Sequence, residues 1–213
     1  MDYFADKFDD PMMYATAVKC VSVPTESILF NIDIEGPITK DKTAVLRVFA
    51  KMFYNHCGFY GDDLKIAKLE RFIEKQGKTE QFRAAFEEVN GAPWEETRDS
   101  FAFFEDDIVE VLQSVLGMSE QAARNWFNGE ETNELSIAQL VADIKEYVDG
   151  KGKNFRLLFM VDEVGQYIGD DGDLMINLQS LVEEIGTRCM GKVWVMVTSQ
   201  EAIDSVVHIS GDD

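Results

Sequence analysis

LLFMVDEVGQYIG, residues 157–169, runs from five apolar residues directly into two adjacent carboxylates, Asp162 and Glu163. A short apolar run that ends abruptly in polar residues predicts a buried strand. A second apolar run, KVWVMVTSQ (192–200), follows after DGDLMINLQSLVEEIG (171–186), whose apolar residues recur at helical spacing. Two apolar strands joined by a helix predict a parallel pair, covered by helices on both faces.

The chain before this unit divides into a strand, a helix and a long helical block. SILFNIDI predicts a strand over 27–34, the following segment predicts a helix over 41–57, and ATAVKCVSV (15–23) indicates at most an edge strand. Glycines and capping residues predict further helices near 63–76, 79–90, 99–116, 119–128 and 136–149. The fold class is therefore α/β with an inserted helical subdomain, in three segments: 1–61, 62–152 and 153–213.

Charge and hydropathy narrow the class of protein. The 213 residues carry 40 acids against 20 Lys and Arg, a net charge of −20. Such a surface repels phosphate backbones, so we expect no direct nucleic-acid binding. The sequence has neither an apolar stretch long enough to span a membrane nor a basic N-terminal signal, which favours a cytoplasmic protein.

The two acids at the end of the apolar strand have the chemistry of a nucleotide hydrolase. Ligands of parallel α/β sheets bind beyond the carboxyl ends of the strands. There, Asp162 could hold Mg²⁺ and Glu163 could polarise the attacking water. Thr198, Ser199 and Gln200 end the neighbouring strand, where a hydroxyl or amide could sense a γ-phosphate. The alternatives are a strand that simply ends in solvated acids and a plain polar strand terminus.

Five stretches resemble the large ATPase of bacteriophage-exclusion (BREX) systems, the BrxC or PglY type. They are LLFMVDEVGQYIG, LMINLQSLVEEIG, VWVMVTSQEAID, ERFIEKQGKTEQFRAAFEEVNGAPWEETRDSF and GMSEQAARNWF. The resemblance implies part of an AAA+/ASCE-type P-loop ATPase core, with a helical insertion at 62–152. It implies a bacterial anti-phage defence complex with other BREX proteins as partners, and ATP and Mg²⁺ as cofactors. Asp162 would hold the metal, Glu163 would activate water, and Thr198 or Ser199 would be the sensor.

One motif of that family is missing from the sequence. No G-x-x-x-x-G-K-[ST] phosphate-binding loop occurs between residues 1 and 213. We therefore expect an internal piece of a longer ATPase, inactive alone, with the loop outside this chain. The implied strand order is 27–34, 156–161, 193–198, which leaves the last strand at an apolar edge and predicts self-association. The sequence leaves the arginine finger open, with Arg188 as the only candidate near the site.

Two other functions fit the same residues. The chain could be a non-catalytic interaction module, in which the helical block binds partners and Asp162 and Glu163 have no catalytic role. It could also be an independent metal-dependent hydrolase that uses these two acids alone, although the sequence offers no further ligands at metal spacing.

Overall fold

The computed structural model describes residues 7–37, 39–128 and 135–199 and has a mixed α/β fold, mostly helical with a small parallel sheet. The elements are, in chain order, α1 (Pro11–Val21), β1 (Thr25–Asn31), α2 (Ile32–Glu35), α3 (Ala44–His56), α4 (Leu64–Lys75), α5 (Thr79–Asn90), α6 (Trp94–Thr97), a 3-10 helix (Arg98–Phe103), α7 (Glu105–Leu116), α8 (Glu120–Asn128), α9 (Ile137–Gly150), β2 (Arg156–Asp162), α10 (Val164–Ile168), α11 (Gly172–Cys189) and β3 (Val193–Val197). No helix in these ranges is long and apolar enough to cross a membrane.

The sheet has the order β1-β2-β3, and both strand pairs are parallel. Asn31 is the register partner of Asp162, and Val161 is the partner of Val197, so the three strands end at the same edge. The predicted parallel pair and the predicted strand order are confirmed. Asp162 therefore ends the central strand, with polar residues following on either side.

Two segments before the central strand differ from the sequence predictions. β1 ends at Asn31 rather than 34, because Asn31 Oδ1 accepts hydrogen bonds from the amides of Asp33 (2.9 Å) and Ile34 (3.2 Å) and starts the short helix α2. The 15–23 segment belongs to α1, not to an edge strand. Asp10 caps α1 by accepting from the Met12 amide (2.8 Å), and Pro11 occupies the first helical position.

The sheet is covered on one face. The side chains of that face are buried: Ile28, Phe30, Leu157, Phe159, Val161 and Val193. Helix α11 packs against β3 and α9, and it buries Leu178, Leu181 and Ile185. The opposite face is exposed to solvent at Leu29 (68%), Trp194 (59%) and Met196 (53%). The prediction of helices on both faces is therefore wrong for the described residues, although the strands are apolar on both sides.

The chain divides into two compact units, residues 1–48 with 136–213, and residues 49–135. The first holds the sheet, α9 and α11. The second is helical and has its own core around Trp94, which is buried and makes edge-to-face contacts with Phe82 and Phe86. The three sequence segments 1–61, 62–152 and 153–213 stay a prediction about domain boundaries.

The predicted helix over 99–116 is broken. A short α-helix and a 3-10 helix precede α7, which starts only at Glu105, and Asp99 lies inside the 3-10 helix instead of capping α7. Ser119 and Ser136 do cap their helices, because their hydroxyl oxygens accept from the amides of Ala122 and Gln139, each at 3.2 Å.

Candidate functional site

Asp162 and Thr198 meet at the carboxyl edge of the sheet. The Thr198 hydroxyl donates a hydrogen bond to Asp162 Oδ1, and the Thr198 amide donates to the Val161 carbonyl at 2.9 Å. Both side chains are exposed. The structure thus brings together two of the four residues that the sequence assigned to the site, and a hydroxyl from one strand orients the carboxylate of the next.

Glu163 forms the turn that leaves β2. It has left-handed backbone angles, φ 63° and ψ 29°, which are unfavourable for a residue with a side chain. The chain therefore bends at Glu163 instead of continuing the strand. This bend removes the constraint that successive strand residues point to opposite faces, so Glu163 and Asp162 can serve one site. Strained backbone of this kind is concentrated at functional sites.

The turn is anchored from both sides. The Val164 amide donates to the Thr198 carbonyl (3.0 Å), which ties the start of α10 to β3. From the side of β1, the Lys40 ammonium donates to the Tyr167 carbonyl (2.8 Å) and lies 4.0 Å from the centre of the Tyr167 ring. The Tyr167 ring is buried, and burial, followed by the charges of Asp33 and Asp41, raises the pKa of its hydroxyl. These contacts tie α10, and with it Glu163, to the end of β3 and to the segment between α2 and α3.

The strain at Glu163 gives a testable prediction. Replacing Glu163 by Gly should stabilise the 213-residue chain by about 1 kcal/mol, because glycine adopts left-handed angles without the clash of a Cβ atom. Urea denaturation of the purified chain measures the change.

Met190 offers the matched control, since it is the other described non-glycine residue with a positive φ, 50°. Met190→Gly should stabilise the chain by a similar amount, and it lies far along the chain from the acids. A loss of stability in Glu163→Gly, beside a gain in Met190→Gly, would show that Glu163 is held by its side chain and not strained.

Ser199 follows Thr198 and packs against α10. Its hydroxyl oxygen is buried and has no hydrogen-bond partner among the described residues. A methyl group added to Gly165 would overlap this oxygen and would lie 3.0 Å from Ser199 Cβ. The third polar residue predicted at this strand end, Gln200, lies outside the described residues.

Asp162 is the carboxylate at this strand end that could bind a magnesium ion. In the described ranges, no group of three or more His, Cys, Asp and Glu side chains could hold a metal. The two hydrogen bonds to Asp162, from the Thr198 hydroxyl and the Glu163 amide (3.1 Å), both fall on Oδ1. Among the described residues none donates to Oδ2, which leaves this oxygen available as a ligand. Since Mg²⁺ usually takes one or two protein carboxylates, with water and phosphate oxygens completing the shell, Asp162 fits the ion that the sequence implied.

Arg188 does not lie near the acids. It occupies the last turn of α11, where its guanidinium pairs with Glu184 at 2.5 Å. That turn leads into the amino end of β3, and Val193 is paired with Leu157, five residues before Asp162. Five residues of strand span roughly 16 Å, so Arg188 does not lie near this site, and the arginine finger stays open.

Two residues of the site escaped the sequence analysis. Asn31 ends β1 beside Asp162. It was not predicted as a site residue because the strand was expected to continue to residue 34. Gly165 gave no signal, because a glycine after a strand is equally typical of an ordinary turn.

No protein-family model matches the sequence, and no solved structure matches it significantly.

Proposed function

We propose that the chain is the part of a BREX-type ATPase that carries the metal-holding and water-activating acids. Its phosphate-binding loop would come from sequence outside residues 1–213. In this proposal the chain contributes three parallel strands of an AAA+-like nucleotide-binding core, hydrolyses ATP only within the longer protein, and acts with other proteins of an anti-phage defence complex. The proposal agrees with the sequence resemblance and rests on the geometry at the strand ends.

The observation that carries the proposal is the hydrogen bond from Thr198 to Asp162. The resemblance implies an acid at one strand end that holds Mg²⁺ and a polar sensor residue at the end of the adjacent strand, in a site that acts by positioning and charge stabilisation. Here Asp162 ends β2 and Thr198 directly follows β3, the adjacent parallel strand, at the edge where ligands of such sheets bind, and the two residues contact each other. A strand that merely ended in solvated acids would not require a partner on the next strand.

The residues divide the chemistry in the following way. Asp162 Oδ2 would hold Mg²⁺, which supplies charge stabilisation to the phosphate oxygens when bound. Glu163, placed by the bend one residue later, accepts a proton from the attacking water. Thr198 keeps the Asp162 carboxylate in one orientation. Lys40 and the Val164 amide fix the turn, so that Glu163 does not have to be ordered at the moment of reaction.

The free edge of the sheet supports the idea that further strands belong next to β3. Within the described residues β3 pairs only with β2, and its five residues, VWVMV, carry no charge, proline or glycine. Proteins normally protect an edge strand with such residues or cover it. In the proposed ATPase core, the strand that precedes the phosphate loop would lie there.

This edge predicts concentration-dependent self-association of the isolated 213-residue chain. Trp194→Lys should shift the equilibrium toward monomer, because it places a charge on the exposed apolar edge. Sedimentation velocity over a wide concentration range is the measurement. Phe103→Lys is the control, since Phe103 is the most exposed large apolar residue of the helical unit (86%) and should not change association. A monomer at all concentrations would contradict an open edge at β3.

The proposal is tested first by the reading frame that encodes the chain. A continuous frame upstream that encodes a strand, G-x-x-x-x-G-K-[ST] and a helix supplies the missing part of the nucleotide site. A stop codon directly upstream, with no such loop downstream, removes the ATPase proposal.

A non-catalytic interaction module is the second candidate, and the helical unit favours it. Residues 49–135 form a separate core, and a cavity of about 130 Å³ opens between α4, α5 and α6. A module of this kind needs no phosphate loop. It predicts that substitutions at Glu163 leave every activity of the longer protein unchanged.

A further inference from the structure

Ser199 lies so close to Gly165 that a residue with a side chain would not fit at position 165. Gly165 is buried in α10, and its φ is not positive, so its backbone conformation does not require glycine. Alanine would be favoured in a helix by about 1 kcal/mol. The reason for glycine here is space, because a Cβ atom would overlap Ser199 Oγ.

The same contact fixes the position of Thr198. Three hydrogen bonds surround Thr198: its amide donates to Val161, its carbonyl accepts from the Val164 amide, and its hydroxyl donates to Asp162. Ser199, the next residue, has a buried hydroxyl without a hydrogen-bond partner among the described residues. Packing against Gly165 therefore helps to hold the Ser199 side chain in place. A side chain at position 165 would push the end of β3 away from α10.

We infer that Gly165 is a positioning residue of the site. Its missing side chain lets Ser199 lie on α10, and this keeps the Thr198 hydroxyl on the Asp162 carboxylate. The geometric part concerns this chain alone, whereas the consequence for ATP hydrolysis rests on the proposed function. In that setting, Gly165 sets the orientation of the metal-holding carboxylate relative to Glu163 without touching the nucleotide.

Amide hydrogen exchange of the 213-residue chain tests the inference directly. In Gly165→Ala, the Val164 amide should lose its bond to Thr198 and exchange at least about tenfold faster than in the wild type. The Leu157 amide, which donates to Lys192 (2.9 Å) at the other end of the same strand pair, should keep its protection. This comparison separates a displaced strand end from general loss of stability.

Two further variants complete the test. Gly186→Ala, a glycine of α11 with no atom within 4 Å of an added Cβ, should leave Val164 exchange unchanged. Ser199→Gly leaves only the Cα atom, at 4.0 Å from that Cβ, so Gly165→Ala should have no added effect in the Ser199→Gly background. Wild-type exchange of Val164 in Gly165→Ala, or the same increase in both backgrounds, would overturn the inference.

The proposed function can fail separately. In the full-length ATPase, Gly165→Ala should lower kcat without weakening nucleotide binding, and Ser199→Gly should remove the difference. If Glu163→Gln leaves turnover unchanged while the exchange results follow the expected pattern, the positioning of Thr198 stands and the ATPase proposal fails.

Discussion

Trp94→Ala is expected to destabilise the helical unit by about 3–5 kcal/mol, the usual cost of truncating a buried aromatic side chain. Trp94 is 2% exposed and contacts Phe82 and Phe86 edge to face, with ring centres 5.2 and 5.0 Å away. Its indole nitrogen also donates to Glu70 Oε1 at 2.7 Å. The substitution therefore removes apolar packing, two aromatic pairs and one hydrogen bond together.

Trp94→Ala also removes one donor from a group of hydrogen bonds centred on the Glu70 carboxylate. Its Oε1 also accepts from Arg98 (3.0 Å), and its Oε2 accepts from the Tyr60 amide (2.5 Å). The carboxylate thus joins the loop before α4 to α6 and the 3-10 helix. Trp94→Phe keeps an aromatic ring beside Phe82 and Phe86 and leaves Glu70 with its two other donors, so it should cost less than Trp94→Ala, about 1–3 kcal/mol.

Urea denaturation followed by far-UV circular dichroism measures both variants, with Phe103→Ala as the control. Phe103 is 86% exposed, so its truncation should change stability by less than about 0.5 kcal/mol. Equal effects of Trp94→Ala and Phe103→Ala would contradict a core built around Trp94.

The sheet was predictable because its signals are strong and local. Fully apolar strands joined by a helix point to parallel pairing, and the run into Asp162 and Glu163 marks the carboxyl edge. The beginning and end of β1 were less predictable. Asn31 competes for the backbone through its side chain and turns the chain into α2 two or three residues before the apolar pattern ends. Similarly, the cap from Asp10 starts helix α1 in a segment whose valines indicated an edge strand.

Contacts between distant segments could not be predicted from the sequence. The apolar residues of β2 and β3 indicate burial on both faces, yet Trp194 and Met196 are exposed, because coverage depends on which other elements are present. Thr198 was predictable as a neighbour of Asp162, but not as its hydrogen-bond donor. The left-handed turn at Glu163 had no signal either, since an acid there is unfavourable and only the surrounding contacts enforce it.

If the proposed ATPase function is right, Glu163→Gln is expected to abolish ATP turnover of the full-length protein. A general base contributes about 10²–10⁴-fold to a rate, and an amide cannot accept the proton from water. Glutamine preserves the size of the side chain, and the backbone contacts of the turn, from Val164 to Thr198 and from Tyr167 to Glu163, do not involve the carboxylate. Nucleotide binding should therefore remain.

The catalytic role of Glu163 is measured by single-turnover ATP hydrolysis of this full-length variant, with nucleotide binding measured in parallel and Glu184→Gln as the control. Glu184 lies on α11 near the opposite end of the sheet, where it pairs with Arg188. We expect bound ATP, a rate at least about 10²-fold below the wild type for Glu163→Gln, and a wild-type rate for Glu184→Gln. Unchanged turnover in Glu163→Gln would contradict this catalytic role.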